Sequence, residues 1–263
     1  MAKKRIIPKL QLMKSNFEND LISLVTTEKF NKIVEVGDPT SQAKIYEAQL
    51  ADELILIDIG RYKGRQNHGF LIDILRMVSK EVFLPLTIGG GVNSIEDIRT
   101  LLNNGADKVS INSSIVQNPQ LLTDAVNAYG SSTIVVSIDY KPDKNGVNSI
   151  YTEGGLNKKS ICPIDWSKEV ENLGAGELLL TNIDHDGSSK GLDINTLKII
   201  CENSKIPVII SGGCGNASHF IQGFKECRAD GIAAGTFFSF QDQNPMQTRG
   251  HIQNAGFNIR TST

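Results

Sequence analysis

The stretch Ile88 to Val92, IGGGV, returns 122 residues later as ISGGC at 210–214, and this echo decides the fold. Other pairs keep nearly the same distance. ADKVSINSS from Ala106 matches ADGIAAGTF from Ala229 at an offset of 123, and ELILID from Glu53 matches ELLLTNID from Glu177 at 124. Matching the first strand to the fifth sets Gln11 opposite Asp139, at an offset of 128. Self-similarity at one long period marks a doubled unit. The halves lie approximately at 1–128 and 129–263.

Working outward, eight short runs rich in β-branched residues are each followed by a longer stretch of helical spacing. They are RIIPKLQL (5–12), ELILIDI (53–59), VFLPLTI (82–88), KVSI (108–111), TIVVSID (133–139), ELLLTNI (177–183), PVIIS (207–211) and GIAAG (231–235). Such alternation predicts parallel strands joined by crossover helices. An open doubly wound sheet is the alternative, but four strands per half, doubled, close a (β/α)8 TIM barrel, whereas an open sheet has no reason to repeat. A chain of 263 residues is the right size for one such barrel.

The glycine pairs sit where strands end. Consecutive glycines there let backbone N–H groups approach an anion without Cβ obstruction, and a following helix adds its positive end. Gly89, Gly90 and Gly91 with Asn112, Ser113 and Ser114 would make one phosphate cradle. Gly212 and Gly213 with Gly235 and Thr236, helped by Asp186, Gly187 and Ser188, would make its twin. Tight turns are the bland reading of either pair alone; equivalent placement in both halves favours the cradles. Two cradles across one mouth imply a small-molecule substrate with a phosphate at each end.

A formal net charge of −2 gives no general attraction to nucleic acid or membrane. The cysteines, Cys162, Cys201, Cys214 and Cys227, form no CxxC pair, and the histidines keep no metal-ligand spacing beside them. No cofactor and no metal are expected. The N-terminal apolar positions are interrupted by Lys9, Gln11 and Lys14, so neither a signal peptide nor a membrane span is expected, and the location predicted is cytoplasmic.

Taken together, KRIIPKL (4–10), VGDP (36–39), DELILIDI (52–59), TIGGGV (87–92), GADKVSIN (105–112), VVSIDYK (135–141), GAGELLLTNIDHDG (174–187) and ISGGCG (210–215) make a specific pattern running nearly end to end. It resembles the cyclase subunit of imidazole glycerol phosphate synthase, HisF, and its divergent relatives. The resemblance implies a lyase and cyclase in histidine biosynthesis. Such a barrel takes ammonia from a glutaminase (HisH-like) subunit, in a heterodimer, and adds it to a bis-phosphorylated ribulosyl aminoimidazole carboxamide. It also implies an acid/base pair of aspartates ending strands 1 and 5. Asp139 fits the second position, but Gln11 occupies the first, and an amide cannot exchange a proton in that role.

A second departure is the stretch LMKSNFENDLISLVTTEKFNKIVE before VGDP, read as a long loop without the family's lysine-glycine pattern. Both departures are similar to relatives from surface-polysaccharide gene clusters, thought to hand ammonia to a sugar amidotransferase. At the opposite face, Arg5, Glu53, Lys108 and Glu177 start strands 1, 2, 4 and 6. The resemblance implies a charged ring at the ammonia entrance; a buried ion cluster is the structural alternative. Among weaker candidates, His185 is expected to contact substrate or to pair with a neighbouring carboxylate. Asp58 is expected to orient substrate or bond neighbouring loops, and Trp166 to pack against the barrel. The basic stretch RYKGR and the nearby His68 form a solvated face or meet an acidic ligand.

Overall fold

The computed structural model describes residues 3–15, 22–60, 69–240 and 243–259. The RYKGR stretch and His68 lie outside them. Twelve strands follow in chain order: β1 (Arg5–Lys14), β2 (Ile22–Glu28), β3 (Lys32–Gly37), β4 (Leu54–Asp58), β5 (Leu86–Gly89), β6 (Lys108–Ile111), β7 (Ile134–Pro142), β8 (Asn148–Thr152), β9 (Asn157–Lys158), β10 (Glu177–Asn182), β11 (Val208–Ser211) and β12 (Gly231–Ala234). Eight of them pair in parallel in the order β1, β4, β5, β6, β7, β10, β11, β12, and β12 returns to β1 with Arg5 against Gly231. The sheet is closed. This is a (β/α)8 barrel.

The helices are α1 (Pro39–Ala48), α2 (Gly69–Glu81), α3 (Ile95–Asn103), α4 (Ser113–Gln117), α5 (Gln120–Tyr129), α6 (Pro163–Asn172), α7 (Ile194–Asn203), α8 (Ala217–Gln222), α9 (Thr236–Phe240) and α10 (Pro245–Asn254). Several start where the sequence supplies a cap. The carboxylate of Asp38 accepts from the backbone N–H of Ser41, Ser94 caps α3 through Asp97, and Asn244 with Gln247 makes a reciprocal capping box.

Alternation along β1 divides its side chains between two environments. Ile6, Leu10 and Leu12 face the helices and join the main apolar core, as does Trp166 of α6. Ile7 faces inward, where it packs with Ile55, Val135, Leu179, Ile209 and Ala233 in an apolar layer that fills the barrel. Burying such side chains stabilises by roughly 25 cal/mol per Å2 of apolar surface.

Two expectations need correction. The run VFLPLTI is a strand only from Leu86: Val82 closes the last turn of α2, and Phe83 is 87% exposed, since Pro85 offers no N–H for a ladder. The stretch before VGDP is largely a hairpin, not a loop. β2 pairs antiparallel with the end of β1, Gln11 against Val25, and β3 returns along β2. A second hairpin, β7 to β8, follows the first strand of the second half, with Asp139 against Tyr151.

Candidate active site

The strand ends and the two hairpins enclose a cavity of about 640 Å3 at the C-terminal mouth, where sites of this architecture sit. Asp139 of β7 and Gln11 of β1 both line it, together with Lys9 and Asp58. Asn112 Nδ2 donates to Asp139 Oδ2 at 2.8 Å. Burial pushes the Asp139 carboxyl up to about 7; the charge of Asp186 adds to this, while Lys9 and the Asn112 hydrogen bond pull the other way. A carboxyl poised there can both take and give a proton near neutrality.

Gln11 Nε2 donates to Thr27 Oγ1 at 3.1 Å, and Oε1 lies 3.2 Å from the same oxygen, whose single hydrogen has a shorter acceptor elsewhere. Thr27, on β2, donates to Asp186 Oδ2 at 2.8 Å. Lys9 Nζ reaches Asp186 Oδ1 at 3.3 Å. A buried network of Gln11, Thr27, Asp186 and Lys9 therefore stands beside Asp139, and Lys9 and Thr27 were invisible to motif reading.

The first set of predicted anion ligands faces this cavity: Gly90, Gly91, Asn112, Ser113 and Ser114 all line it. Two of the hydroxyls already have partners. Ser113 accepts from the Glu153 backbone N–H at 2.9 Å, and Ser114 donates to the Val92 carbonyl. Gly90 is also required by packing, because a Cβ at its φ of +109° would lie 2.3 Å from the Asp58 carbonyl oxygen.

The second set converges as well. Asp186, Gly187, Gly212, Gly213, Gly235 and Thr236 border a separate hollow of about 10 Å3, with Ser211 beside them. The Ser211 hydroxyl is buried and has no hydrogen-bond partner among the described residues. Backbone packs closely on two of its glycines: a Cβ on Gly187 would meet the Thr27 carbonyl oxygen at 2.1 Å, and one on Gly213 the Gly191 carbonyl oxygen at 1.9 Å. Asp186 borders this hollow, and its carboxylate accepts from Lys9 and Thr27. His185 lies off the 640 Å3 cavity's wall and, among the described residues, pairs with no carboxylate; its Nδ1 is 2.7 Å from the Gly191 carbonyl. Asp58 Oδ1 accepts from the Gly60 N–H at 2.8 Å, a bond within its own loop.

At the opposite end, Arg5 bridges Glu53 and Glu177, and Lys108 bridges the same two carboxylates at 3.2 and 2.8 Å. Charges alternate around a closed ring. Thr87 donates a further bond to Glu53 at 2.7 Å. Burial works against the Arg5 guanidinium, but Glu177 and Glu53 outweigh it and hold the group above its ordinary value.

Residues 5–243 match the family described as "Histidine biosynthesis protein". The chain belongs to that family. It is 45% identical over 262 residues, 99% of each chain, to a Prochlorococcus marinus (strain MIT 9313) protein provisionally named imidazole glycerol phosphate synthase subunit hisF2. It is 38% identical over 263 residues to the protein named imidazole glycerol phosphate synthase subunit HisF of Clostridium botulinum (strain Langeland), covering 99% of this chain and 100% of that one. A Bacillus licheniformis protein of the same name is 36% identical over 262 residues, 99% of this chain and 100% of its own. The resemblance carried by the motifs is thus matched by end-to-end relatives. Among the described residues, no helix is long and apolar enough to cross a membrane.

Proposed function

We propose that this barrel is the cyclase subunit of an imidazole glycerol phosphate synthase. It adds glutamine-derived ammonia to a bis-phosphorylated ribulosyl aminoimidazole carboxamide, then cleaves and cyclises the adduct. The observation that carries the reading is Asp139, a carboxyl poised near 7 on the wall of a 640 Å3 cavity bordered by the first glycine cradle. The unpartnered Ser211 hydroxyl beside the second cradle supports a second anion.

In this reading Asp139 moves protons at the mouth, and the cradles fix the two ends of the substrate. The ring of Arg5, Glu53, Lys108 and Glu177 is the entry for ammonia, below the apolar layer that contains Ile7. A glutaminase docks on that face, in a one-to-one heterodimer. The substrate residues are Asp139 and Gln11 at the centre, with Gly90, Gly91, Asn112, Ser113, Asp186, Gly187, Gly212, Gly213, Gly235 and Thr236 around the phosphates.

Gln11 favours a second reading. Its amide bonds Thr27 and offers no exchangeable acid, as suits a barrel that delivers ammonia to a sugar amidotransferase in surface-polysaccharide synthesis. Single-turnover conversion of the ribulosyl intermediate with ammonium chloride separates the two. Wild type is expected to turn over, Asp139→Asn to lose at least about a hundredfold, as loss of a positioned acid/base does, and Gln11→Asp to gain. Failure of the wild type at high enzyme concentration transfers the assignment to the second reading.

A further inference from the structure

We propose that Lys9 is a catalytic residue of this mouth, its ammonium holding the substrate's keto oxygen while ammonia adds to the adjoining carbon. The proposal rests on the synthase reading above. β1 places Lys9 two residues beyond Ile7 on the inward face, so it is the first polar group of that strand above the apolar layer. It lines the cavity and is only 8% exposed. A buried ammonium is costly unless paired, and the inward residue below it on β1, Ile7, belongs to the apolar layer.

An ammonium has three N–H donors. Among the described residues Lys9 uses one, toward Asp186, at a long 3.3 Å. Gln11 cannot serve instead, because an amide carries no acidic proton to give to the developing oxyanion. Asp139 shares the cavity wall and feels the Lys9 charge. Acid and base are therefore present without a carboxylate on strand 1.

The step balances as an addition. The ammonia lone pair forms the N–C bond, the C=O π pair moves to oxygen, and oxygen takes a proton from Lys9. The proton shed by the new ammonium nitrogen goes to the Asp139 carboxylate. Proton transfer from Asp139 to Lys9 through solvent restores the starting state, with no change of oxidation level.

The test compares wild type, Lys9→Arg, Lys9→Met and the double variant Lys9→Met/Asp186→Asn, which removes the carboxylate that the methionine would strand. Melting temperature first establishes that each is folded. Calorimetric binding of the ribulosyl bis-phosphate without ammonia is expected to weaken about tenfold in both methionine variants and to stay within about threefold in Lys9→Arg. Single-turnover rates with ammonium chloride are expected to fall about a hundredfold in all three, because a guanidinium holds an oxyanion but does not release its proton.

A folded double variant that keeps both affinity and rate within about threefold of wild type overturns the proposal. Wild type that binds but does not react removes the synthase reading and the acid role with it; the Lys9 contact then stands or falls on whether the methionine variants lose affinity. Wild type that neither binds nor reacts removes both.

Discussion

At the scale of single residues, the decisive feature is a carboxyl held where it can titrate. Asp139 keeps its proton to about 7 against an ordinary value of 3.8, so the native state binds more protons than the unfolded chain between those values. Stability from this group is therefore complete below about pH 4 and lost as pH rises through 7. Asp139→Asn, which keeps a polar group for Asn112, is expected to stabilise the protein at pH 8. The gain is on the order of 2 kcal/mol once cavity solvent screens the shift, with little change at pH 4. Melting curves at the two pH values check this, and an equal shift at both would contradict the assigned burial effect. The position itself was legible in the sequence, because the half-to-half offset set Asp139 opposite Gln11. Lys9 was not, since a lysine inside an apolar run reads as an interruption until the inward face of β1 is known. The link from Asp186 to Lys9 was hidden for a related reason: the partners of that carboxylate, Thr27 and Lys9, lie more than 150 residues away in sequence.

At the scale of elements, the hairpin of β2 and β3 does what the long-loop reading did not allow. Its three-residue turn lies between the paired Glu28 and Lys32 and holds Lys29 and Phe30 at left-handed φ, 53° and 60°. Asparagine or glycine normally announces such a turn, and neither stands at these two positions, so the usual signal was missing. The β-branched content of ISLVTTE and KIVEVG was the signal available. Phe30 lines the mouth cavity and lies against Gly155, which brings the first hairpin up to the β8–β9 turn. Thr27 is the hairpin's polar anchor, buried and bonded to Gln11 and Asp186. Thr27→Val keeps the branched shape that β2 needs but leaves the Gln11 amide and one Asp186 oxygen without this partner. It is expected to cost about 1–3 kcal/mol, read as a lower urea midpoint with unchanged slope. No shift in midpoint would mean that solvent replaces the hydroxyl and that the hairpin is not anchored there.

At the scale of the whole molecule, the closed barrel sets two polar ends apart with an apolar layer between them. Eight strands and their doubling were readable because hydrophobic periodicity and internal repetition are properties of the chain itself. The enclosure of the mouth by hairpins depends on residues far apart in sequence. The ring of Arg5, Glu53, Lys108 and Glu177 lies at the end away from the cavity, so its effect on chemistry at the mouth has to run through passage along the barrel. Lys108→Met breaks two of the four bridges and leaves Glu53 and Glu177 sharing Arg5 alone. Some destabilisation is expected, about 2 kcal/mol, since removing one partner strands charge. Lys108→Arg keeps the charge and controls for it. If the ring admits ammonia from a docked glutaminase, Lys108→Met in the complex should lower glutamine-dependent turnover about tenfold while ammonium-driven turnover falls much less. A parallel loss of both rates, tracking the loss of stability, would make the ring a structural cluster that only ties the barrel floor.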